Sequence, residues 1–274
     1  MHFLWWQWLI AGGCAWLVGV AKTGVPGLGI FVVPVLSLTL GDAVASAGLL
    51  LPLLSVADVF AVAYYRRHAE VRKLWELAPW VVVGMAIAGV VLFLPASAFP
   101  GGPERWYNSA VGAVVMAMLL LHLARKRRAD APVPDDRAHA ARYGVTAGFA
   151  TTLANAAGPV MNLYLLSKRL PKHEFIATGA WYFLIVNLLK VPIYLPRGMI
   201  TWESLAVDAW LAPLVVLGAL TGRRLFERIP QGVFERVVLI LAAAAALMLF
   251  VPRHWYAPPE AAPAVHPQPS APSL

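Results

Sequence analysis

Two stretches of this chain place residues that interrupt helices next to residues that can hold an anion. The first is Lys22-Thr-Gly-Val-Pro-Gly-Leu-Gly29 and the second is Thr151-Thr-Leu-Ala-Asn-Ala-Ala-Gly-Pro159. Gly and Pro end or kink helices. The helix that resumes after such a break offers unbonded amide N–H groups and the positive end of its dipole, which together suit a negative charge. The candidate substrate-binding set is therefore Lys22, Thr23, Gly24, Gly27 and Gly29 in the first stretch and Thr151, Thr152, Asn155 and Gly158 in the second. The competing reading is two kinked helices whose Gly and Pro serve packing alone. The paired occurrence of the break favours a site.

Several polar residues sit inside apolar surroundings. Lys22 is the only formal charge between Met1 and Gly41, and an ionisable group at that depth is by default a functional candidate. Asp58 and Lys190 each lie within an apolar segment. Asp58 reads as a proton-coupling carboxylate or as the partner of a lysine. Lys190 reads either as a site residue or as a side chain reaching back to the interface. Asn187, one turn before Lys190, and Asn162 read as substrate ligands or as hydrogen-bonding groups between helices. Asp58, Asn187 and Lys190 form the coupling or supporting set.

Other chemistries lack their residues. His68, His122, His139 and His173 show no metal-ligand spacing, so no metal site is expected. There is no His-Glu-x-x-His, no Gly-x-Ser-x-Gly and no Walker loop, so neither a catalytic set nor a cofactor is assigned. Cys14 is the only cysteine, which excludes an intramolecular disulfide.

The elements that must position these residues are membrane helices. Of the 274 residues, 60% are hydrophobic and 13% charged, a balance too apolar for a soluble domain. The apolar residues fall into runs: Gly13 to Leu38, Ala43 to Tyr65, Leu74 to Leu94, Trp106 to Leu123, Tyr143 to Leu166, Phe175 to Leu195, Leu205 to Thr221 and Val233 to Val251. With flanking residues, each is about long enough for the ~30 Å hydrocarbon layer. The expected class is an all-α integral membrane protein with about eight transmembrane segments. Lipid is then the surrounding partner. The net charge of +8 belongs to connecting loops rather than to nucleic-acid binding. Met1 to Ile10 is Trp-rich without an early Lys or Arg, which argues against a cleaved signal peptide.

Basic residues set the sides. Arg66, Arg67, Arg72 and Lys73 form one cluster. Arg125 to Arg128, Arg137 and Arg142 form the second, Lys168, Arg169 and Lys172 the third, and Arg223, Arg224 and Arg228 the fourth. All four are expected on the cytoplasmic side of the inner membrane. The basic-poor loops around Pro95 to Glu104 and Pro196 to Trp202 are expected outside. The second and third clusters flank Tyr143 to Leu166, so that segment must enter and leave by one face as a re-entrant hairpin. Gly13 to Leu38 becomes a hairpin from the opposite face. Each half then holds one broken hairpin and three crossing helices, and an odd number of crossings gives the halves opposite orientation.

Internal matches support two inverted repeats. Gly19, Ala21, Thr23, Gly29 and Leu36 align with Gly148, Ala150, Thr152, Gly158 and Leu165. After small shifts, Gly48 aligns with Gly179, Pro79 with Pro213, Gly84 with Gly218, and Glu104-Arg105 with Glu235-Arg236. The expected organisation is a first membrane repeat over 1–123, a basic cytoplasmic linker over 124–141, a second repeat over 142–253 and a disordered Pro/Ala-rich tail over 254–274.

At these residues a family resemblance emerges. Gly24-Val-Pro-Gly-Leu-Gly-Ile-Phe-Val-Val-Pro34 resembles the Gly-rich segment and Val-Pro pair near the start of the TauE/SafE family of sulfite exporters. Ala154-Asn-Ala-Ala-Gly-Pro159, Gly179-Ala-Trp-Tyr-Phe and Asn187-Leu-Leu-Lys-Val-Pro192 resemble the matching second-half segments of one branch. Pro26 and Leu28 interrupt the consecutive glycines frequent in that family. The resemblance extends to about Arg253. It implies a secondary transporter that exports a small sulfur-containing anion such as sulfite or an organosulfonate.

Three readings are therefore weighed. In the first, the hairpin tips hold the anion and one repeat rocks against the other, with proton coupling through Asp58 as a further option. An intramembrane enzyme would need a nucleophile–base or metal pair, and no matched pair is present. A non-transporting assembly or regulatory subunit would carry large polar loops, whereas the longest internal connection, Ala124 to Ala141, is a short charged linker.

Overall fold

The computed structural model of the chain describes residues 4–40, 43–92, 136–154, 157–196 and 198–250, with single positions at 94, 98, 113, 116 and 120. The described residues contain helices and no strand. In chain order the helices are α1 (Trp5–Thr23), α2 (Val32–Leu40), α3 (Ala43–Tyr65), α4 (Val71–Leu92), α5 (Arg137–Ala154), α6 (Ala157–Ser167), α7 (Lys172–Tyr194), α8 (Trp202–Arg228) and α9 (Gln231–Phe250). A 3₁₀ turn, Leu28–Phe31, leads into α2. The expected crossing Trp106 to Leu123, apart from three single positions, lies outside the described residues, as do Asn155, the linker up to residue 135 and the tail.

Both Gly/Pro stretches divide helices. α1 ends at Thr23 and α5 at Ala154. The short helices that follow, α2 and α6, have 9 and 11 residues. At 1.5 Å per residue they are roughly 14 and 16 Å long, about half the hydrocarbon thickness. Four stretches among the described residues are long and apolar enough to cross a membrane: Ala45–His68, Val71–Val91, Lys172–Tyr194 and Trp202–Arg228. They correspond to α3, α4, α7 and α8. The sequence reading began two segments too late: α1 starts at Trp5 rather than Gly13, and α5 starts at Arg137, inside the expected linker.

Each broken pair is tied at its base by one hydrogen bond. The Gln7 amide donates to the Thr39 carbonyl over 2.8 Å, joining the start of α1 to the end of α2. His139 Nε2 and Ser167 Oγ, 2.8 Å apart, join the start of α5 to the end of α6. Described members of the first, third and fourth basic clusters gather at one end of the bundle. His68 stacks near His173 at 5.5 Å, Arg223 lies over Tyr64, and Lys172 Nζ donates to the carbonyls of Phe226 and Ile229.

Two seams hold the bundle together: α1 against α8, and α4 against α5. Both rely on glycine letting backbones approach. A Cβ on Gly19 would overlap the Val215 carbonyl, and one on Gly218 would overlap that of Trp16. In the second seam, Gly148 meets Val81 and Gly84 meets Val145 in the same way. Gly19 and Gly148, like Gly84 and Gly218, are pairs matched in the sequence alignment. The helix starts are also locally encoded. At α8, the Thr201 hydroxyl accepts from the Ser204 amide while the Ser204 hydroxyl accepts from the Thr201 amide.

These seams predict a sharp contrast. Gly218→Leu and Gly84→Leu force backbones apart and are expected to lower stability by about 1–3 kcal/mol or more. Gly13→Ala, where an added Cβ meets nothing within 4 Å, is expected to stay near wild type. Thermal unfolding in detergent compares the three, and equal melting temperatures would refute the seam.

Candidate functional site

The two breaks meet at one cavity of about 110 Å³. From the first break, Pro26, Gly27 and Gly29 line it. From the second come Ala157, Gly158 and Pro159. Gly27 has φ +109°, a left-handed conformation that other residues rarely adopt, and a Cβ there would press on Leu241. This turn directs the chain from α1 into the Leu28–Phe31 turn and α2. On the other side, Ala157 and Gly158 open α6, whose first-turn amides have no acceptor within the helix. Pro159 suits the first turn because its missing N–H would have had no helical partner. Two helix N-terminal ends therefore border the same space, the arrangement that favours negative charge.

Lys22 closes α1 beside this space. Its Nζ lies 2.8 Å from Asp58 Oδ1 and 4.0 Å from the centroid of the Phe183 ring. Asp58, on α3, is fully buried, and its other oxygen accepts a 2.8 Å hydrogen bond from Asn187 Nδ2 on α7. Of the two roles read for Asp58, the structure displays the lysine partner. Lys190 is 1% exposed and lines the cavity, so its side chain does not reach an interface. It interacts electrostatically with the same carboxylate. The site thus gathers two ammonium groups around one carboxylate, a formal excess of one positive charge.

The remaining wall is mainly apolar, from Val33, Leu50, Leu54, Phe175 and Phe183. Low-polarity walls strengthen the attraction between a lysine and an entering anion. The volume lies well under the ~300–1,000 Å³ typical of drug-sized ligands, so it fits a small one.

Of the residues chosen from the sequence, Lys22, Gly27, Gly29, Thr151, Gly158, Asn187 and Lys190 line the cavity. Asn155 lies outside the described residues. Thr23, Gly24 and Thr152 are not among the lining residues. The Thr23 hydroxyl lies 2.7 Å from the Ala219 carbonyl and 3.1 Å from that of Gly19, and its own carbonyl accepts from Tyr65. Thr152 donates to the Gly148 carbonyl, and Gly24 packs on Gly222. A hydroxyl that already donates to a carbonyl presents only lone pairs, which repel an anion. In this structure Thr23 and Gly24 are engaged against α8, and Thr152 is engaged within α5.

Phe183 was not singled out from the sequence, because its place beside Lys22 depends on packing between α1 and α7. Asn162 was noted there but left out of the binding set. It lies four residues after Gly158, and that i,i+4 spacing puts both on one face of α6. Asp208 was also missed, although it is the only charge between Leu205 and Thr221.

No curated protein and no solved structure gives a significant match to the chain. The family model described as Sulfite exporter TauE/SafE matches residues 10–249. That span takes in both breaks, both glycine seams and every residue that lines the cavity. The all-helical architecture, its membrane-length helices and this match lead to one conclusion: the chain is a multi-pass membrane protein that belongs to the TauE/SafE sulfite exporter family.

Proposed function

We propose that the protein is a secondary transporter that exports a small sulfur anion, sulfite or a related organosulfonate, through the cavity between the two broken segments. The observation that carries this reading is the meeting of both breaks with Lys22 and Lys190 at one cavity. The anion is held by Lys22, Lys190, Asn187, Asn162 and Thr151 together with the backbone at Gly27, Gly29, Ala157 and Gly158. An entering anion competes with Asp58 for Lys22. In the empty site the carboxylate supplies the negative charge that the substrate later brings, so the lysine is never left alone in a medium where a bare charge costs about 2.5–3.5 kcal/mol.

Alternating access follows from an inverted repeat. α1 to α4 begin the first repeat, within residues 1–123, and α5 to α9 form the second, over 142–253 with the start of α5 reaching back to Arg137. Residues 124–141 join them and 254–274 form the tail. Support comes from the equivalent contacts: Gly19 and Gly218 in one seam answer Gly148 and Gly84 in the other, and each hairpin base is tied by one side-chain bond. In this reading α1–α2 and α5–α6 are re-entrant hairpins from opposite faces. The protein lies in the inner membrane, and the end of the bundle that carries Arg66, Arg67, Lys172 and Arg223 faces the cytoplasm.

Three outcomes are expected. Inside-out vesicles or proteoliposomes show saturable uptake of radiolabelled sulfite, with sulfate, thiosulfate and sulfoacetate as competitors, and Lys22→Ala abolishes it. Uptake that survives Lys22→Ala would remove this cavity from the pathway. In protein with Cys14 replaced, a cysteine at Gly41 is labelled from outside and one at Ser167 from inside. The reverse pattern would overturn the topology. Finally, Asp58→Ala leaves Lys22 unpaired and is expected to cost about 3–5 kcal/mol of stability, much of it regained in Lys22→Ala/Asp58→Ala. Additive losses in unfolding experiments would show that the ion pair does not couple these helices.

A further inference from the structure

A second intramembrane carboxylate lies well away from the cavity. Asp208 sits on the buried stripe of α8 with Ser204, Val207, Leu211 and Val215, and is 5% exposed. Neither of its carboxylate oxygens has a hydrogen-bond partner among the described residues. Its neighbours on the stripe, Val207 and Leu211, belong to an apolar cluster with Ala11, Ala15, Leu49 and Leu53.

α1 and α3 are the helices packed most heavily on α8. The titratable groups of α1 are Cys14, in the same apolar cluster, and Lys22. Gly24 packs on Gly222, so α1 and α8 run parallel, and Lys22 lies roughly 20 Å along the bundle from Asp208. α3 offers Asp58, Tyr64 and Tyr65. Tyr64 lies level with Arg223, which puts Asp58 roughly two and a half turns away from Asp208. Asp58 is itself bound to Lys22 and Asn187. On α8, Glu203 precedes Asp208 and adds no positive charge. The amide of Gln7, near the start of α1, is committed on both sides: its oxygen accepts from the Leu4 amide and its nitrogen donates to the Thr39 carbonyl.

Among the described residues, an ionised carboxylate in such a place has neither a cation nor a donor to replace its lost hydration, which costs several kcal/mol. The neutral acid removes that cost. We infer that Asp208 is a proton-binding site that holds its proton while α1, α3 and α8 are packed together and exchanges it with water when the α1–α8 seam opens. On loading, one water-borne proton bonds to a carboxylate oxygen and the side chain goes from −1 to neutral. On opening, the O–H bond breaks and the proton leaves to the aqueous phase. Each cycle then moves one proton with the anion. The coupling rests on the transporter reading above, whereas the proton site itself does not.

Two measurements test this. The first needs no substrate. Infrared difference spectra of the purified full chain at neutral pH should contain the carbonyl band of a protonated carboxylic acid. Exposed carboxylates, with ordinary values near about 4, are ionised there. The band should vanish in Asp208→Asn and persist in Asp58→Asn. The second uses proteoliposomes that contain a pH-sensitive dye and sulfite. Wild type should show proton flux with sulfite. Asp208→Asn should retain sulfite counterflow but lose proton flux and pH dependence, and Asp208→Glu should restore both. A band unchanged in Asp208→Asn overturns the proton site, and proton flux that survives Asp208→Asn overturns the coupling. If wild type moves no sulfur anion while the band behaves as expected, the substrate assignment falls and the proton site stands.

Discussion

A carboxylate with no exposure has to be answered by its neighbours, and in this protein two helices converge on a third to answer Asp58. Lys22 arrives from the end of α1 and Asn187 from the middle of α7, each at 2.8 Å. Breaking such a buried pair from one side costs more than the pair contributes when intact, because a bare charge is left behind. The arrangement therefore fixes α1, α3 and α7 relative to one another. It also fixes Lys22 beside the first break, since the lysine cannot leave the carboxylate without another anion to take its place. In the proposed mechanism, pairing and ligand binding draw on the same ammonium group.

The glycine seams make that convergence possible. Lys22 sits where it does because α1 lies against α8 at backbone distance, with Gly19 and Gly218 interlocked. The α4–α5 seam does the same for the second break through Gly84 and Gly148. Lipid offers no hydrophobic gain for bringing helices together, so close packing and hydrogen bonds between helices have to supply the attraction. Thr23 contributes to both: its hydroxyl bridges to Ala219 and its carbonyl takes the Tyr65 phenol. Both contacts tie down the end of the helix that carries Lys22.

Charge is handled differently at the two intramembrane carboxylates. Asp58 is surrounded by donors and cations, while Asp208 lies in an apolar cluster without either among the described residues. The same side chain in two environments is suited to two roles. In the proposed mechanism one carboxylate stands in for a missing substrate anion, and the other holds a proton. Environments that treat two carboxylates so differently are how proteins separate charge-pairing from proton-handling tasks.

Much of this was legible in the sequence. The membrane class follows from long apolar runs, because a bilayer rejects polar side chains. The two breaks follow from Gly and Pro, because those residues cannot continue a helix without cost. The order shared by Gly19 with Gly148 and by Gly84 with Gly218 could be read there, and all four glycines sit at close backbone approaches. The family resemblance, too, lay in these Gly- and Pro-rich segments. Only the tertiary structure decided which polar groups face the cavity. Thr151 lines it while its neighbour Thr152 bonds to its own helix, and Lys190 is enclosed rather than reaching an interface. Hydropathy and spacing describe a helix on its own. Which face of α5 or α7 meets the cavity depends on how closely the seams let neighbouring backbones approach, and those contacts join residues far apart in the chain.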